Sequence, residues 1–154
     1  MSAPHIVALG GTLRRESSTS RLLAAALALA EERGARTTLI TGPDLAFPHY
    51  EPGCAEGNPA IEHFVAALRS ADAVIVGSPG YHGTLSGLVK NALDYVEELR
   101  GDSRVYLDGR PIGLVATAAG WQGAVSTLQA LRMVTHALRG WPTPMGVTVN
   151  TAEP

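Results

Sequence analysis

At 154 residues the chain has room for one domain with a substantial core, and 45% hydrophobic against 17% charged residues excludes a disordered or low-complexity chain. A formal net charge of −2 offers no basic field for nucleic acid, and no apolar run approaches the roughly 20 residues that a bilayer span requires. The single cysteine, Cys54, excludes an internal disulfide, and the opening Met1-Ser2-Ala3-Pro4 lacks the basic stretch of a secretory leader, so a cytoplasmic protein is expected.

In chain order, short apolar runs alternate with helical stretches. His5 to Leu9 has no polar alternation, as expected of a strand buried on both faces, and it breaks at Gly10-Gly11. A helix is predicted from about Thr19 to Arg33, with Leu22, Leu23, Ala26, Leu27 and Ala30 as its inner stripe and Gly34 closing it. Thr37 to Thr41 is a second strand, followed by a Pro/Gly-rich stretch from Gly42 to Pro59, long enough to be expected as a lid. Asn58 as N-cap and Pro59 at the first helical position open the next helix, whose stripe is Ile61, Phe64, Val65 and Leu68. Asp72 to Gly77 is a third strand, with a turn at Ser78-Pro79-Gly80 leading into a helix that carries Leu85, Leu88, Ala92, Val96 and Leu99. Ile112 to Ala116, Val125 to Leu138 and Val147 to Val149 complete the pattern as strand, helix and fifth strand.

Strands separated by helices make a parallel sheet covered on both faces. Five strands at this length favour a flavodoxin-like doubly wound sheet, a three-layer α/β/α fold occupying residues 1–154 as one domain. Ligands of such sheets sit at the carboxyl ends of the strands, which directs attention to the loops after strands one, three and four.

After strand one the chain reads Gly10-Gly11-Thr12-Leu13-Arg14-Arg15-Glu16-Ser17-Ser18-Thr19-Ser20-Arg21. Glycines allow close backbone approach, hydroxyls gather where a helix begins, and Arg14 adds a charge-assisted donor, so the segment can converge on a phosphate dianion. The same residues also read as an ordinary solvated N-cap, with Arg15 and Arg21 as surface charges. A P-loop and a G-x-G-x-x-G fingerprint are both missing. After strand three, Pro79 and the pair Gly80 and Gly83 frame Tyr81 and His82, a setting for one edge of a flat hydrogen-bonding heterocycle. His82 also reads as an exposed loop histidine.

The pairing of G-T-L-R-x-x-S-S-T with S-P-x-Y-x-x-x-x-S-G-x-x-K-N-x-L-D resembles the NADPH-dependent FMN reductase family, which includes the flavin reductases serving sulfonate monooxygenases. The resemblance implies that FMN phosphate is held by Thr12, Arg14, Ser17, Ser18 and Thr19. It implies that Pro79, Gly80, Tyr81, His82, Gly83 and Thr84 border the isoalloxazine ring, and that the Thr117-Ala118-Ala119-Gly120 turn, Ala119 and Gly120 included, lies beside its pyrimidine end. Thr12 stands where the family often has Ser, Thr19 where Asn is common, His82 for a frequent Asn and Ser86 for a frequent Pro. The family's fold closes with a fifth helix, whereas this sequence runs only to Pro154; either that helix is absent here or a partner covers its face.

The function this implies is hydride transfer from NADPH or NADH to FMN, with reduced flavin passed to a partner monooxygenase or another acceptor, and no protein nucleophile among the catalytic groups. A flavodoxin-like electron carrier, a quinone or azo reductase with bound FMN, and an interaction module that kept only the fold are the other readings. A homodimer or homotetramer is implied, with the Leu85–Leu99 helix as the expected interface. The five histidines show no metal-ligand spacing, and a G-x-S-x-G elbow is missing. Trp121, opening the fourth helix beside the third loop, reads as lining for a nicotinamide pocket or as core or interface packing, Trp141 as packing, Lys90 and Asp94 as a surface i, i+4 pair, and Tyr106-Leu107 as an interfacial turn.

Overall fold

The computed structural model describes residues 2–14 and 16–153; Arg15, read above as a surface charge, lies outside the described residues. Four parallel strands form the centre of the sheet: β1 (His5–Gly10), β2 (Arg36–Thr41), β3 (Ala73–Tyr81) and β5 (Pro111–Ala118). A short β4 (Thr84–Leu85) pairs antiparallel with β3. At the far side β6 (Trp141–Pro142) and β7 (Val147–Asn150) both pair with β5, in register Pro111 to Trp141 and Val115 to Val147. The order β2-β1-β3-β5-β6 is the flavodoxin order with its fifth position filled by two short strands. Pro142 sits at this edge, where its missing N–H costs no ladder bond.

The helices are α1 (Ser18–Glu31), α2 (Pro59–Ser70), α3 (Gly87–Asp94) and α4 (Trp121–Ala137). Asn58 Oδ1 accepts from the N–H groups of Ala60 and Ile61, which is why α2 begins where the Asn-Pro pair places it. The larger core lies under α2, α3 and α4, built on Val7, Leu9, Val74, Val76, Ile112 and Leu114. The opposite face carries a small core of Ala8, Leu23, Leu27 and Val115 under α1. Beyond α1 on that face Val147 is exposed and Val149 half-buried, and no helix of the described residues covers them.

Several expectations require correction. Strand β3 does not end at Gly77 but runs on to Tyr81 and folds back through His82-Gly83, at φ 50° and 90°, into β4. Two consecutive left-handed residues make the tight hairpin whose twist matches its strands. Leu85 therefore belongs to a hairpin arm, α3 starts only at Gly87, and residues Tyr95–Leu99 tighten into a 3₁₀ turn. Ser78 Oγ accepts from Ser86 N (2.9 Å) at the hairpin base, and Ser86 Oγ caps α3 through Val89 N (3.2 Å). A proline at 86 would forfeit both bonds.

The Gly42–Pro59 stretch is not a lid over the ligand end of the sheet. It opens with a 3₁₀ turn at Gly42–Leu45, then is fastened to α3: Asn91 Oδ1 accepts from Tyr50 N (2.9 Å), and Asn91 Nδ2 donates to the carbonyls of Phe47 and Pro48. Tyr95 donates to Pro48 O (3.0 Å) and stacks edge-on with Phe47 and Tyr50, with Cys54 Sγ 3.1 Å from its hydroxyl. Burial, reinforced by the Cys54 contact, pushes the Tyr95 phenol up to about 12. Leu107 is a core residue rather than part of an interfacial turn, and Trp141 is 74% exposed rather than packed. Helix α4 opens at Trp121, as expected, with its apolar stretch from Val125 following, and the Trp121 indole is half-exposed.

Candidate active site

Strand order reverses between β1 and β3, and there the two strand ends lie in close backbone contact. Gly11 N donates to Gly77 O (3.2 Å), and a Cβ on Gly10 would fall 1.8 Å from that same oxygen. Gly10 and Gly11 hold φ of 143° and 89°, so only glycine permits the turn that lifts the first loop over the sheet. Gly11 is also crowded, since a Cβ there would meet Ser20 Oγ at 2.3 Å.

Helix α1 begins just beyond. Ser17 is its N-cap, accepting from Ser20 N at 3.2 Å, which leaves the hydroxyl proton available to donate. Thr12 Oγ1 accepts from Arg14 N (3.1 Å) and fixes the loop that presents the Arg14 guanidinium. Thr19 is 1% exposed, and its Oγ1 pairs with Thr117 Oγ1 at 2.7 Å, tying the start of α1 to the end of β5.

A cleft of about 350 Å³ opens over these residues. Its walls are the first loop and helix start (Thr12, Arg14, Glu16, Ser17, Ser18, Thr19), the end of β3 (Pro79, Gly80, Tyr81), the end of β5 with its loop (Thr117, Ala118, Ala119), and Thr151. A second, more apolar recess of about 280 Å³ adjoins it, sharing Thr12, Arg14 and Tyr81 and reaching Leu13, Ser86 and Leu88. Of the residues expected at a site, Thr12, Arg14, Ser17, Ser18, Thr19, Pro79, Gly80, Tyr81 and Ala119 share the cleft wall. His82, Gly83, Thr84 and Gly120 do not reach that wall: the first three form the hairpin tip and its return arm. Gly80 is pressed against α4, with a Cβ there 2.5 Å from Thr127 Oγ1, and Thr127 Oγ1 donates to Thr84 O (3.3 Å).

Thr117 and Ala118 stand on the wall with Ala119, as expected of the third-loop turn, whereas Glu16 and Thr151 join it without any motif that points to them. The carboxyl-end rule applied to the fifth strand would have found Thr151, whose N–H donates to Ala118 O (2.8 Å) just past β7. Glu153 Oε1 receives both Trp121 Nε1 (2.9 Å) and Asn150 Nδ2 (2.7 Å), closing that turn onto the start of α4. Among the described residues no group of three His, Cys, Asp or Glu side chains is placed to hold a metal ion.

The donor set suits a phosphate monoester at one end, with a guanidinium, three hydroxyls and a helix start, and a flat ring at the other. Glycine at 10, 11 and 80 leaves the backbone bare where side chains would intrude. Fold and cleft together define a flavodoxin-like domain with its ligand cleft at the strand switch point. The chain belongs to the NADPH-dependent FMN reductase family, whose sequence model matches residues 4–153. It is 28% identical over 109 residues to an FMN-dependent NADPH-azoreductase of Staphylococcus haemolyticus, covering 71% of this chain and 54% of that protein. It is 36% identical over 96 residues to a probable NADPH:quinone oxidoreductase 2 of Oryza sativa subsp. japonica, covering 60% and 47%. The chain thus spans about half the length of these curated relatives. An NADH:FMN oxidoreductase in its apo form shares the fold, with a TM-score of 0.76 at 23% identity over 97% of this chain and 77% of the other.

Proposed function

We propose that this protein is an NAD(P)H-dependent FMN reductase, a reading carried by one observation: phosphate loop, ring platform and third loop meet in a single cleft at the strand switch point. Arg14 and the hydroxyls of Thr12, Ser17 and Ser18 hold the flavin phosphate. Thr19 takes part as the buried strut that fixes where α1 begins. Pro79, Gly80 and Tyr81 bound one edge of the ring and Ala119 another, with His82, Gly83 and Thr84 continuing the first edge as a hairpin and Gly120 leading from the second into α4. FMN, when bound, supplies the two-electron acceptor chemistry, so no side chain has to act as nucleophile or strong acid. Tyr81, 48% exposed and shared by both recesses, borders the space through which a nicotinamide reaches the ring.

The names of the curated relatives support a second reading of the same site, in which azo dyes or quinones receive the electrons rather than a partner monooxygenase. The protein works in the cytoplasm, where reduced pyridine nucleotides are maintained, and as a homodimer or homotetramer. Trp121, Val125 and Met133 expose apolar surface along α4, which supports association through that helix. The outer face of α3 is given to the Lys90–Asp94 ion pair (2.6 Å) and to Asn91, which anchors the preceding loop.

Oxidation of NADPH and of NADH by purified protein, with FMN varied, tests the reading. A rate that saturates in FMN is expected. Failure to oxidise either nicotinamide at any FMN concentration, with or without quinone or azo dye, refutes it.

A further inference from the structure

The charge on the cleft wall is not what a tight phosphate site would carry. Arg14 and Glu16 lie on the same wall, separated by one residue in sequence, and they are the two formally charged side chains among the described residues of the cleft. The carboxylate offsets the Arg14 guanidinium. A phosphate dianion placed among Thr12, Ser17 and Ser18 is drawn by the guanidinium and repelled by the carboxylate of the adjacent residue. Glu16 is exposed and, among the described residues, caps no backbone group: Ser17 supplies the side-chain cap of α1, and the loop is shaped by Thr12 and by Gly10 and Gly11. Its carboxylate therefore contributes to this wall chiefly as a negative charge.

We propose that Glu16 sets the affinity of the phosphate loop, keeping FMN an exchangeable ligand that enters and leaves reduced or oxidised. This rests on the reading of the cleft as an FMN site. A reductase that hands its flavin to another protein has to release it, and a carboxylate beside the phosphate weakens binding where the ring-reading contacts are left intact. The effect acts on the phosphate alone, so it separates flavins that carry one from those that do not. It also offsets one of the two arginine charges in Arg14-Arg15-Glu16, so FMN binding responds less to ionic strength than those arginines alone would make it.

The test is equilibrium binding of FMN and of riboflavin, followed by quenching of flavin fluorescence, for the unaltered protein and Glu16→Gln. Release of FMN is measured alongside by displacement. Glu16→Gln is expected to tighten FMN by roughly 3- to 10-fold, mostly through slower release, and to make that affinity fall with added salt. Riboflavin affinity stays as it was. Equal or weaker FMN binding by the variant, in a protein that binds FMN better than riboflavin, overturns the role of Glu16 and leaves the phosphate site standing. If the unaltered protein and an Arg14→Ala variant bind FMN no better than riboflavin, the phosphate site is wrong and the proposal falls with it.

Discussion

Thr19 and Thr117 share a hydrogen bond of 2.7 Å between side chains 98 positions apart, both almost fully buried beneath the cleft. The bond couples the first helical turn of α1 to the last residues of β5, so the first and third loops are held at a fixed separation. It also engages the Thr19 hydroxyl in one bond within the protein itself.

Thr19→Val keeps the shape and removes the bond, leaving Thr117 Oγ1 buried without its partner. A loss of about 1–3 kcal/mol in unfolding free energy is expected from urea titration, with part recovered in the Thr19→Val, Thr117→Val double variant. FMN affinity should change far less than on loss of Arg14. A large drop in affinity with unchanged stability would return Thr19 to the phosphate-binding set.

Arg14→Ala removes the one described cation on the cleft wall. Charge-assisted hydrogen bonds are worth about 1.5–3 kcal/mol, so FMN should bind on the order of 10- to 100-fold more weakly. Turnover at saturating FMN should stay near that of the unaltered protein, because Arg14 acts on the phosphate and not on the reacting ring. The split between KM and kcat for FMN is the readout.

His82 sits at φ 50° at the tip of the β3–β4 hairpin, ahead of Gly83 at φ 90°. Asparagine tolerates that conformation at least as well, so His82→Asn should match or exceed the original stability by a few tenths of a kcal/mol. FMN affinity should hold, since His82 does not reach the cleft wall. Weaker FMN binding by this variant, with the thermal midpoint maintained, would show a ring contact through the hairpin tip.

His5 is 2% exposed, with Nε2 2.8 Å from Thr38 Oγ1 and Nδ1 3.1 Å from Ser70 Oγ. Burial, with Arg36 nearby, lowers its pKa below the ordinary 6.5. The unfolded chain therefore takes up a proton first as pH falls. The stability this neutral ring contributes is whole above pH 6.5 and declines as pH drops from there toward the lower folded value. Urea midpoints measured across that window should fall with pH, and His5→Gln should flatten the slope.

The fold was legible wherever one local rule decided an element. Short unalternated runs such as Ile6–Leu9 and Val74–Val76, rich in β-branched residues and closed by glycine, read as strands buried on both faces, and Asn58-Pro59 fixes the start of α2. The hairpin was missed because its return arm is two residues long and Leu85 falls in step with the apolar spacing of the helix behind it. His-Gly is also a weaker turn signal than Asn-Gly, although the backbone uses it identically. The fastening of the Gly42–Pro59 stretch to Asn91 and Tyr95, like the Thr19–Thr117 bond, depends on contacts between distant positions that no local pattern encodes. At the site, glycines, hydroxyls and Arg14 announced themselves by composition. Glu16 passed unnoticed in the same loop, since a carboxylate has no place in the expected donor set.

The proposed reductase activity requires that the cleft at the strand switch point bind FMN and let a nicotinamide reduce it. Anaerobic mixing of the protein with FMN and then NADPH or NADH, while the visible flavin absorption is followed, tests it most directly. Bleaching is expected at a rate that depends on protein concentration and slows in Arg14→Ala at sub-saturating FMN. Flavin that stays oxidised with both nicotinamides, in a protein that binds it, would contradict the reductase reading and leave an electron carrier.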